Sequence, residues 1–599
     1  MSLRLERVSH RFGKQEVLKN VSLHIERGDC YGFIGHNGAG KTTAMRVLLG
    51  LLDPDDGRVV VDGFEANGYP REARARMGAL IEQAGFHPGW SGARNLRLLA
   101  RLGGASADVG SLIEQVGLAH AGDKPVRAYS QGMRQRLGVA QALLGDPDYV
   151  LLDEPSNGLD PDGIQEMRAL IRRLTQEEGR TVLISSHQLH ELEGICNRVG
   201  VLRQGQLVME ETIENLLQSD QYRLETDDPE AAVRVIEEMG LHARAASPVS
   251  VTLAERKPAE VVRALVGRGV GVSSFSPEAP SLEEIYHRDT APLPPPPSLE
   301  VGPPDPRRAP SMPVGRMVMH ELRRWSGQWT TPAMLAAPAL AGVLAIWTRV
   351  QDVARDAAAV EEGALATATS VNAFEGVARA LHPGLWLLGY VLLGLASQSI
   401  AGEFGQGTLR NVLLRPVTRV QVALGKGLAL LCAALAAYAV LVGVSIATAS
   451  AFFEWKGVVE ILPNGLEFEH RPIDELWPVF YKALQISILP LFAYTAIGFL
   501  CGALVRRGAT ALSLALGTGV ALDLGRGFFT NSAIEPWLPM TYLPSELGRY
   551  SYIDYMLEWS QGTSGIQYLF EKTEVACPLL WIVAGFLATA WTLKRRYVP

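Results

Sequence analysis

The segment Ser130–Asp160 reads SQGMRQRLGVAQALLGDPDYVLLDEPSNGLD, and it contains three features that belong together in one kind of site. It begins with a predicted helix start, Ser130-Gln131-Gly132-Met133, whose backbone N–H groups suit a phosphate. Its later part, Tyr149–Leu152, is an apolar run typical of a fully buried strand. The acidic pair Asp153–Glu154 follows directly. The segment is not a complete site, so it predicts a nucleotide, a phosphate-binding loop upstream and a second copy of itself.

The composition indicates a chain that is partly soluble and partly embedded in a membrane. The 599 residues exceed one domain, since about 150 residues per domain is usual. Hydrophobic residues make up 47% and charged residues 20%, with a mean hydropathy of +0.09. The net charge of -7 shows no basic excess, so we expect no nucleic-acid partner. The N-terminus lacks an apolar stretch, which predicts no cleaved signal peptide, and the five cysteines have no metal-ligand spacing.

A glycine-rich loop lies upstream, at Gly35-His36-Asn37-Gly38-Ala39-Gly40-Lys41-Thr42-Thr43. It fits the pattern G-x-x-x-x-G-K-[ST], and it lies between a predicted strand and a predicted helix, as the motif requires. Glycines let backbone N–H groups converge on phosphate oxygens. Lys41 is expected to reach the β- and γ-phosphates, and the Thr42 hydroxyl is expected to bind Mg²⁺. The alternative, a chance glycine-rich turn, does not account for the flanking elements.

Two strand ends carry the remaining candidate groups for catalysis. We expect Asp153 to hold Mg²⁺ through water and Glu154 to polarise the attacking water. His187 follows the apolar run 181–186, on the side of the sheet where α/β proteins bind ligands, which favours a contact with the γ-phosphate. The alternatives are structural: a carboxylate pair that caps a loop, and a histidine without a ligand.

Together, these motifs closely resemble the ATP-binding cassette of ABC transporters over residues 1–217. The resemblance implies an α/β P-loop ATPase fold in which Glu154, His187 and Lys41 act in hydrolysis. It also implies two cassettes in antiparallel contact, so that Ser130 and Gly132 touch the ATP held by the partner copy. Phe12 would stack on adenine, with an ordinary core phenylalanine as the alternative. The implied ATP-binding residues are Phe12, Gly35, His36, Asn37, Gly38, Ala39, Gly40, Lys41, Thr42, Thr43, Ser130, Gly132 and Asp160.

Two positions depart from the family pattern. The usual Leu-Ser-Gly-Gly-Gln signature is Tyr-Ser-Gln-Gly-Met at 129–133, but Ser130 and Gly132, which contact phosphate in the family, are present. The family glutamine that contacts Mg²⁺ corresponds by register to Glu82, with Gln83 beside it. The expected metal-binding residues are therefore Thr42, Asp153 and either Glu82 or Gln83.

Residues 218–290 are predicted to form an accessory subdomain of the cassette without a catalytic constellation of its own. Their end, Ser281–Tyr286, resembles the closing helix of many exporter cassettes. Residues 291–313 are crowded with proline, which predicts an extended linker, an SH3-type ligand being the alternative.

Residues 314–599 are predicted to form an all-α permease domain with six membrane-spanning helices. A basic amphipathic stretch, 317–324, is expected to lie on the membrane surface. Six apolar segments follow, each near the ~20 residues that a spanning helix needs and some of them shorter. These segments are 332–348, 384–400, 425–452, 479–505, 508–528 and 577–593. Half-buried helices are the alternative for the first and the last segment.

The distribution of Lys and Arg predicts the orientation. These residues concentrate before the first span, between spans two and three, between spans four and five, and after the sixth. We therefore expect a multi-pass protein of the cell membrane with the cassette and both termini in the cytoplasm. The loop 529–576 is expected outside, with its aromatic residues in re-entrant or interfacial helices.

The segment 401–426 carries a pattern of its own, Glu403-x-x-x-Gly407-Thr408-Leu409, followed by Arg415-Pro416, Arg419 and Gly425-Lys426. It resembles the type-2 ABC exporter permeases, and the resemblance implies a cytoplasmic helix that docks on the cassette. The alternative is a positively charged loop that only sets the orientation.

Charged residues inside predicted spans are candidates for a substrate path. Asp523 and Arg526 lie three residues apart in the fifth span, so they can pair on one helix face. Alternatively, the side chains of Arg526 and Lys482 extend toward the membrane surface and have no role in a substrate path.

The whole pattern predicts a half-transporter that couples ATP hydrolysis to export of an unidentified substrate across the lipid bilayer, as a homodimer. One alternative is a membrane-bound ABC ATPase that acts as a mechanotransmitter or motility component without solute flux. A soluble ABC ATPase acting on ribosomes or DNA is the other, and the six apolar segments argue against it.

Overall fold

The computed structural model describes most of the chain, and its residues cluster into two compact units. One unit comprises residues 1–84, 88–100 and 105–310, and the other comprises residues 85–87, 101–104 and 311–599. The described residues are 2–66, 71–82, 85–103, 108–217, 221–244, 248–253, 256–277, 314–326, 330–361, 368–369, 371–415, 417–461, 467–529, 532–544, 551–562 and 573–595. The predicted linker and the predicted closing helix, Ser281–Tyr286, lie outside them.

Strands and helices alternate through the first half of the chain. The strands are β1 (Ser2–Phe12), β2 (Gln15–Glu26), β3 (Cys30–Ile34), β4 (Asp56–Val61), β5 (Phe64–Glu65), β6 (Met77–Leu80), β7 (Tyr149–Asp153), β8 (Thr181–Ser186), β9 (Arg198–Arg203), β10 (Gln206–Thr212), β11 (Gln221–Thr226), β12 (His242–Arg244), β13 (Val249–Thr252) and β14 (Val272–Pro277). The helices are α1 (Lys41–Leu48), α2 (Arg71–Ala75), α3 (Gly92–Gly103), α4 (Val109–Gln115), α5 (Gln131–Leu143), α6 (Pro161–Arg172), α7 (Ile213–Leu217), α8 (Pro229–Glu238) and α9 (Pro258–Gly267).

A six-stranded sheet in the order β10-β9-β3-β8-β7-β6 forms the centre of this unit. Strands β9, β3, β8, β7 and β6 pair in parallel, and β10 pairs antiparallel with β9. Every residue of β3, β7 and β8 is buried, which explains why these strands read as continuous apolar runs. The carboxyl ends of the parallel strands meet at one edge of the sheet, and the loop after β3 therefore starts beside the ends of β7 and β8.

Two antiparallel sheets accompany the central one. The first has the order β2-β1-β4-β5, and the second has the order β12-β13-β11-β14. The second sheet packs with α8 and α9 around a separate core that includes Leu224, Ile236, Val251, Val261 and Leu265. The described part of residues 221–277 thus has its own hydrophobic core.

The second unit is mainly helical. Its helices are α10 (Val314–Ser326), α11 (Thr330–Glu361), α12 (Ala373–Gln406), α13 (Thr408–Leu413), α14 (Arg419–Phe452), α15 (Ile473–Ile486), α16 (Ile488–Leu504), α17 (Gly508–Phe528), α18 (Tyr552–Ser560) and α19 (Thr573–Arg595). A small sheet of β15 (Ala368–Thr369), β16 (Val458–Ile461) and β17 (Glu467–Arg471) accompanies them.

Within the described residues, five helical stretches are long and apolar enough to cross a membrane. They are Ala373–Gln406, Arg419–Phe452, Ile473–Leu504, Gly508–Phe528 and Thr573–Lys594. These five cover the second to the sixth predicted spans, except for Val505 at the end of the fourth. The first predicted span, 332–348, lies within α11, which is not among the five, so a total of six remains a prediction.

The segment 401–426 is not one helix. Helix α12 ends at Gln406, where Gly407 adopts a left-handed φ of 69° that a side chain would disfavour. The short α13 follows, and Thr418 then caps α14 through a reciprocal pair of hydrogen bonds with Gln421.

Candidate functional site

The glycine-rich loop is shaped by two backbone conformations that favour glycine. It connects the buried β3 to α1, and Gly38 and Gly40 have φ angles of 84° and 107°. A Cβ atom on Gly40 would also lie 3.0 Å from the carbonyl oxygen of Val17, so the position is restricted in space as well as in φ. Because α1 begins at Lys41, within the motif 35–43, its first N–H groups have no acceptor within the helix. The loop and helix start together suit an anion.

Lys41 is buried and folds back over the loop. Its Nζ donates to the carbonyl oxygen of Gly35 at 2.5 Å, and it lies 3.5 Å from Oε1 of Glu154. Burial lowers the pKa of Lys41, and the nearby carboxylate of Glu154 opposes that shift. The ammonium group is thus placed between the loop carbonyls and the acidic pair.

Asp153 receives hydrogen bonds from two hydroxyl groups that come from distant parts of the chain. Thr42 Oγ1 donates to Oδ2 at 2.9 Å, and Ser185 Oγ donates to Oδ1 at 2.5 Å. Burial raises the pKa of Asp153, and these two hydrogen bonds lower it. A carboxylate beside a threonine hydroxyl supplies the hard oxygen ligands that Mg²⁺ prefers, so these residues fit that ion.

Glu154 lies at the centre of the remaining candidate groups. Its φ is 46°, an unusual value for a residue with a side chain. Its Oε2 is 3.5 Å from Nδ1 of His187 and accepts a hydrogen bond from the side-chain amide of Asn157 at 3.2 Å. The structure therefore brings Lys41, Glu154 and His187 together, although more than a hundred residues separate Lys41 from the other two.

Glu82 has a partner that the sequence did not indicate. Arg46 donates to its Oε1 at 2.6 Å. The negative charge of Glu82 also raises the pKa of Asp153, so it lies within electrostatic range of the predicted metal site. Gln83, the other candidate for this position, lies outside the described residues.

Two of the predicted ATP-binding residues lie at the starts of helices. Ser130 caps α5, its Oγ accepting a hydrogen bond from the N–H of Met133 at 3.2 Å, and Asp160 caps α6 in the same way through Gly163. Gln131 links the start of α5 to the loop that precedes α6, because its side chain donates to the carbonyl oxygen of Asn157 at 3.1 Å. Ser130 and Asp160 are both exposed.

Phe12 is also exposed, with 38% of its surface accessible at the end of β1. Its ring contacts His10 edge-on, with 4.8 Å between the ring centroids. An ordinary core phenylalanine would be buried, so the exposure favours the stacking role.

Three residues that contact the predicted site residues were not predicted from the sequence: Ser185, Arg46 and Asn157. The role of Ser185 was the easiest of the three to predict. Strands β7 and β8 end with acidic and hydroxyl residues, and Asp153 pairs with Ser185 in the sheet register. Arg46 and Asn157 carry no such signal, since their roles depend on the conformations of α1 and of the loop after β7.

The second unit contains a buried cluster of charged residues in which α10, α12 and α14 meet. Lys426 is fully buried, and its Nζ donates to Glu321 Oε1 at 2.5 Å and to Glu403 Oε1 at 2.8 Å. Arg324 pairs with Glu321 at 3.2 Å and also with Glu403. Burial raises the pKa of Glu321, but Arg324 and Lys426 together bring it well below its usual value. Two cations thus balance two carboxylates.

The fold and the cluster around Lys41, Asp153 and Glu154 define a P-loop nucleoside triphosphatase. The family model described as "ABC transporter" matches residues 18–157. A second model, described as "ABC-2 family transporter protein", matches residues 320–596.

Curated proteins similar to this chain share the first of these regions. An uncharacterised ABC transporter ATP-binding protein, YdbJ of Bacillus subtilis, is 34% identical over 292 residues, which is 48% of this chain and 95% of that protein. The bacitracin transport ATP-binding protein BcrA of Enterococcus faecalis is 40% identical, covering 39% of this chain and 77% of that protein. The daunorubicin resistance ATP-binding protein DrrA2 of Streptomyces coeruleorubidus is 33% identical, and the match covers 48% of this chain and 95% of that protein.

Part of the chain is also similar to solved structures. A dimeric post-hydrolysis structure of the ATP-binding cassette MJ0796, bound to ADP and Pi, is 24% identical and covers 35% of this chain and 98% of that one, with a TM-score of 0.33.

The chain belongs to the ABC transporters, and it joins an ATP-binding cassette and an ABC-2 membrane domain in one polypeptide. Cassettes of this family bind ATP, typically with Mg²⁺, hydrolyse it and function as dimers. The predicted P-loop fold and the predicted ATPase class are therefore confirmed. The matching membrane domain and the five apolar helices make this a membrane protein.

Proposed function

We propose that two copies of this chain form an exporter driven by ATP. The proposal rests chiefly on one observation, that a single chain carries one ATPase region and one membrane region. The exposure of Ser130 and Asp160 at two adjoining helix starts supports a partner cassette that completes each ATP site. The names of BcrA and DrrA2 associate those relatives with bacitracin transport and daunorubicin resistance, which favours export.

In this proposal each residue of the cluster around β7 has a separate role in hydrolysis. The N–H groups of the loop 35–43 bind the phosphates, and Lys41 neutralises the charge of the terminal ones. Thr42 and Asp153 would hold Mg²⁺, with Glu82 or Gln83 as a further candidate, and the ion would supply additional charge stabilisation when bound. Glu154 orients water, and His187 contacts the γ-phosphate.

The same proposal places the cassette and both termini in the cytoplasm of a cell-membrane protein. The Lys- and Arg-rich segments between the spans support this orientation. The segment 401–426 then docks on the cassette and transmits its closure to the spans. The proposed division of the chain is a cassette at 1–217, an accessory subdomain at 218–290, a linker at 291–313 and a permease at 314–599.

A disulfide experiment tests the dimer. Cysteines at Asn37 and Ser130, introduced in a Cys432→Ser background because Cys432 is exposed, should crosslink only when ATP is present. Asn37 suits the test because it is exposed and, unlike Gly38, has no positive φ. The product should migrate as a dimer on a denaturing gel. Cysteines at Asn37 and the exposed Ser111 provide the control, which should not crosslink. Crosslinks that form only within one chain would contradict the composite site.

Transport in inside-out vesicles tests export itself and separates it from the mechanotransmitter alternative. Daunorubicin is a suitable probe because one similar protein is named for resistance to it. Vesicles should accumulate daunorubicin when ATP is supplied, and vesicles with Glu154→Gln should not. If ATP is hydrolysed normally while neither daunorubicin nor bacitracin moves, the role without solute flux is favoured.

A further inference from the structure

Asp523 lies in the membrane-spanning helix α17 and receives hydrogen bonds from three aromatic side chains. Tyr390 OH donates to Oδ2 at 2.5 Å, and Trp386 Nε1 donates to the same oxygen at 3.2 Å. Tyr494 OH donates to Oδ1 at 3.4 Å. Two of these residues come from α12 and one from α16, so three helices converge on one carboxylate.

The rings form a wall around this carboxylate. Trp386 and Tyr390 have ring centroids 4.9 Å apart, and Tyr390 and Tyr494 have centroids 6.2 Å apart. Tyr494 is buried at 1% exposure and forms the closed side. Trp386 is 43% exposed, and Tyr390 and Asp523 are partly exposed, and this exposed part of the group is its open side.

Asp523 has no direct ion-pair partner among the residues that the structure describes, although the charge of Arg526 lies within electrostatic range. Among them, no lysine, arginine or histidine nitrogen forms an ion pair with its carboxylate, and the expected pairing with Arg526 is not formed. Arg526 is directed elsewhere, since its Nη1 donates to the carbonyl oxygen of Leu543 at 3.0 Å. The three hydrogen-bond donors are neutral, so they satisfy the oxygens without neutralising the charge, which only the more distant Arg526 partly offsets. A charge of this kind inside a membrane helix is costly and indicates a function.

We propose that Asp523, Trp386, Tyr390 and Tyr494 bind the charged group of a lipophilic organic cation. The carboxylate supplies the counter-charge, and the ring faces attract a cation through their quadrupoles. The low dielectric of the membrane strengthens both interactions. Because the open side is partly apolar, the rest of the ligand is expected to be hydrophobic. This inference names the substrate class of the proposed exporter and rests on that function, although the binding site can be tested without transport.

The test uses the purified full-length protein in lipid nanodiscs and two probes of nearly the same shape. Tetraphenylphosphonium carries a positive charge and tetraphenylborate a negative one, so the pair separates charge recognition from general hydrophobic binding. Equilibrium dialysis should show that the wild type binds the phosphonium at least about tenfold more tightly than the borate. Asp523→Asn should weaken phosphonium binding by about tenfold or more and leave borate binding unchanged.

A conservative control and a second variant keep the test decisive. Ser513→Ala, an exposed position on the same helix, should bind both probes as the wild type does. Trp386→Leu should weaken phosphonium binding roughly 3- to 30-fold, and because Trp386 is partly exposed this variant should fold even if Asp523→Asn does not. Equal phosphonium affinity in the wild type and in either variant that folds would overturn the proposal, as would equal affinity of the wild type for the two probes.

Basal ATP hydrolysis, measured on the same samples, separates this inference from the proposed function. Hydrolysis with selective phosphonium binding but without vesicle transport would count against export and leave the cation site intact. Transport of daunorubicin without any effect of Asp523→Asn on phosphonium binding would count against the cation site alone.

Discussion

Glu154→Gln is expected to lower the turnover of ATP by about 100- to 1,000-fold, because glutamine keeps the shape of the side chain but cannot accept a proton or polarise water as a carboxylate does. The contacts of Glu154 with Asn157 and with the neighbourhood of His187 place it at the end of β7, beside Lys41. The loop 35–43 is untouched by the change, so ATP binding should persist. Steady-state phosphate release and equilibrium binding of ATP, both on purified protein, measure the two properties separately.

Glu166→Gln is the matched control for this prediction. The same change from glutamate to glutamine is made on α6, where the half-exposed side chain of Glu166 pairs with Arg136 at 2.9 Å. Turnover in Glu166→Gln should remain within about twofold of the wild type, since exposed ion pairs contribute little. A turnover above roughly a tenth of the wild-type value in Glu154→Gln would remove Glu154 from the role of orienting water.

Lys426→Met is expected to destabilise the membrane unit by about 3–5 kcal/mol, because the change leaves a buried cluster with one uncompensated negative charge. In the wild type, Lys426 and Arg324 balance Glu321 and Glu403, and all four side chains are buried. Methionine has a similar length, so the lost charge and its hydrogen bonds dominate over any change in packing. The apparent melting temperature in detergent should fall by roughly 10 °C.

Two variants make the charge argument specific. Lys456→Met removes a lysine whose partner, Glu454, is largely exposed, and the melting temperature should change by no more than about 2 °C. In the double variant Lys426→Met/Glu403→Gln the cluster is neutral again, so part of the lost stability should return. If the double variant is as unstable as the sum of its single changes, the charges do not interact as a unit.

The ATP site shows which features can be predicted from short stretches of sequence. The loop 35–43 could be predicted because its glycines, lysine and threonine are adjacent in sequence and their spacing alone determines the cradle. The ends of β7 and β8 could be predicted because buried parallel strands are continuous apolar runs and place their ends at one edge of the sheet. The contacts of Asp153 with Ser185 and of Glu82 with Arg46 could not, because they depend on side-chain directions between elements far apart in the chain.

The membrane unit shows the opposite balance. Hydropathy marked the second to the sixth spans, since an apolar run of sufficient length has few alternatives in a chain of this kind. It also marked Asp523 as unusual, but the sequence suggested Arg526, three residues away, as its partner. Helix packing instead turns Asp523 toward aromatic residues of α12 and α16.

By itself, then, the amino-acid sequence determined the class of this protein, because the segment Ser130–Asp160 and the loop 35–43 are short motifs whose chemistry depends on neighbours in the chain. Tertiary structure decided which distant charges meet: Lys426 with Glu321 and Glu403, and Asp523 with three aromatic donors. The physical reason is that burial makes the placement of each charge costly, and only the packing of several helices determines where a compensating group can lie.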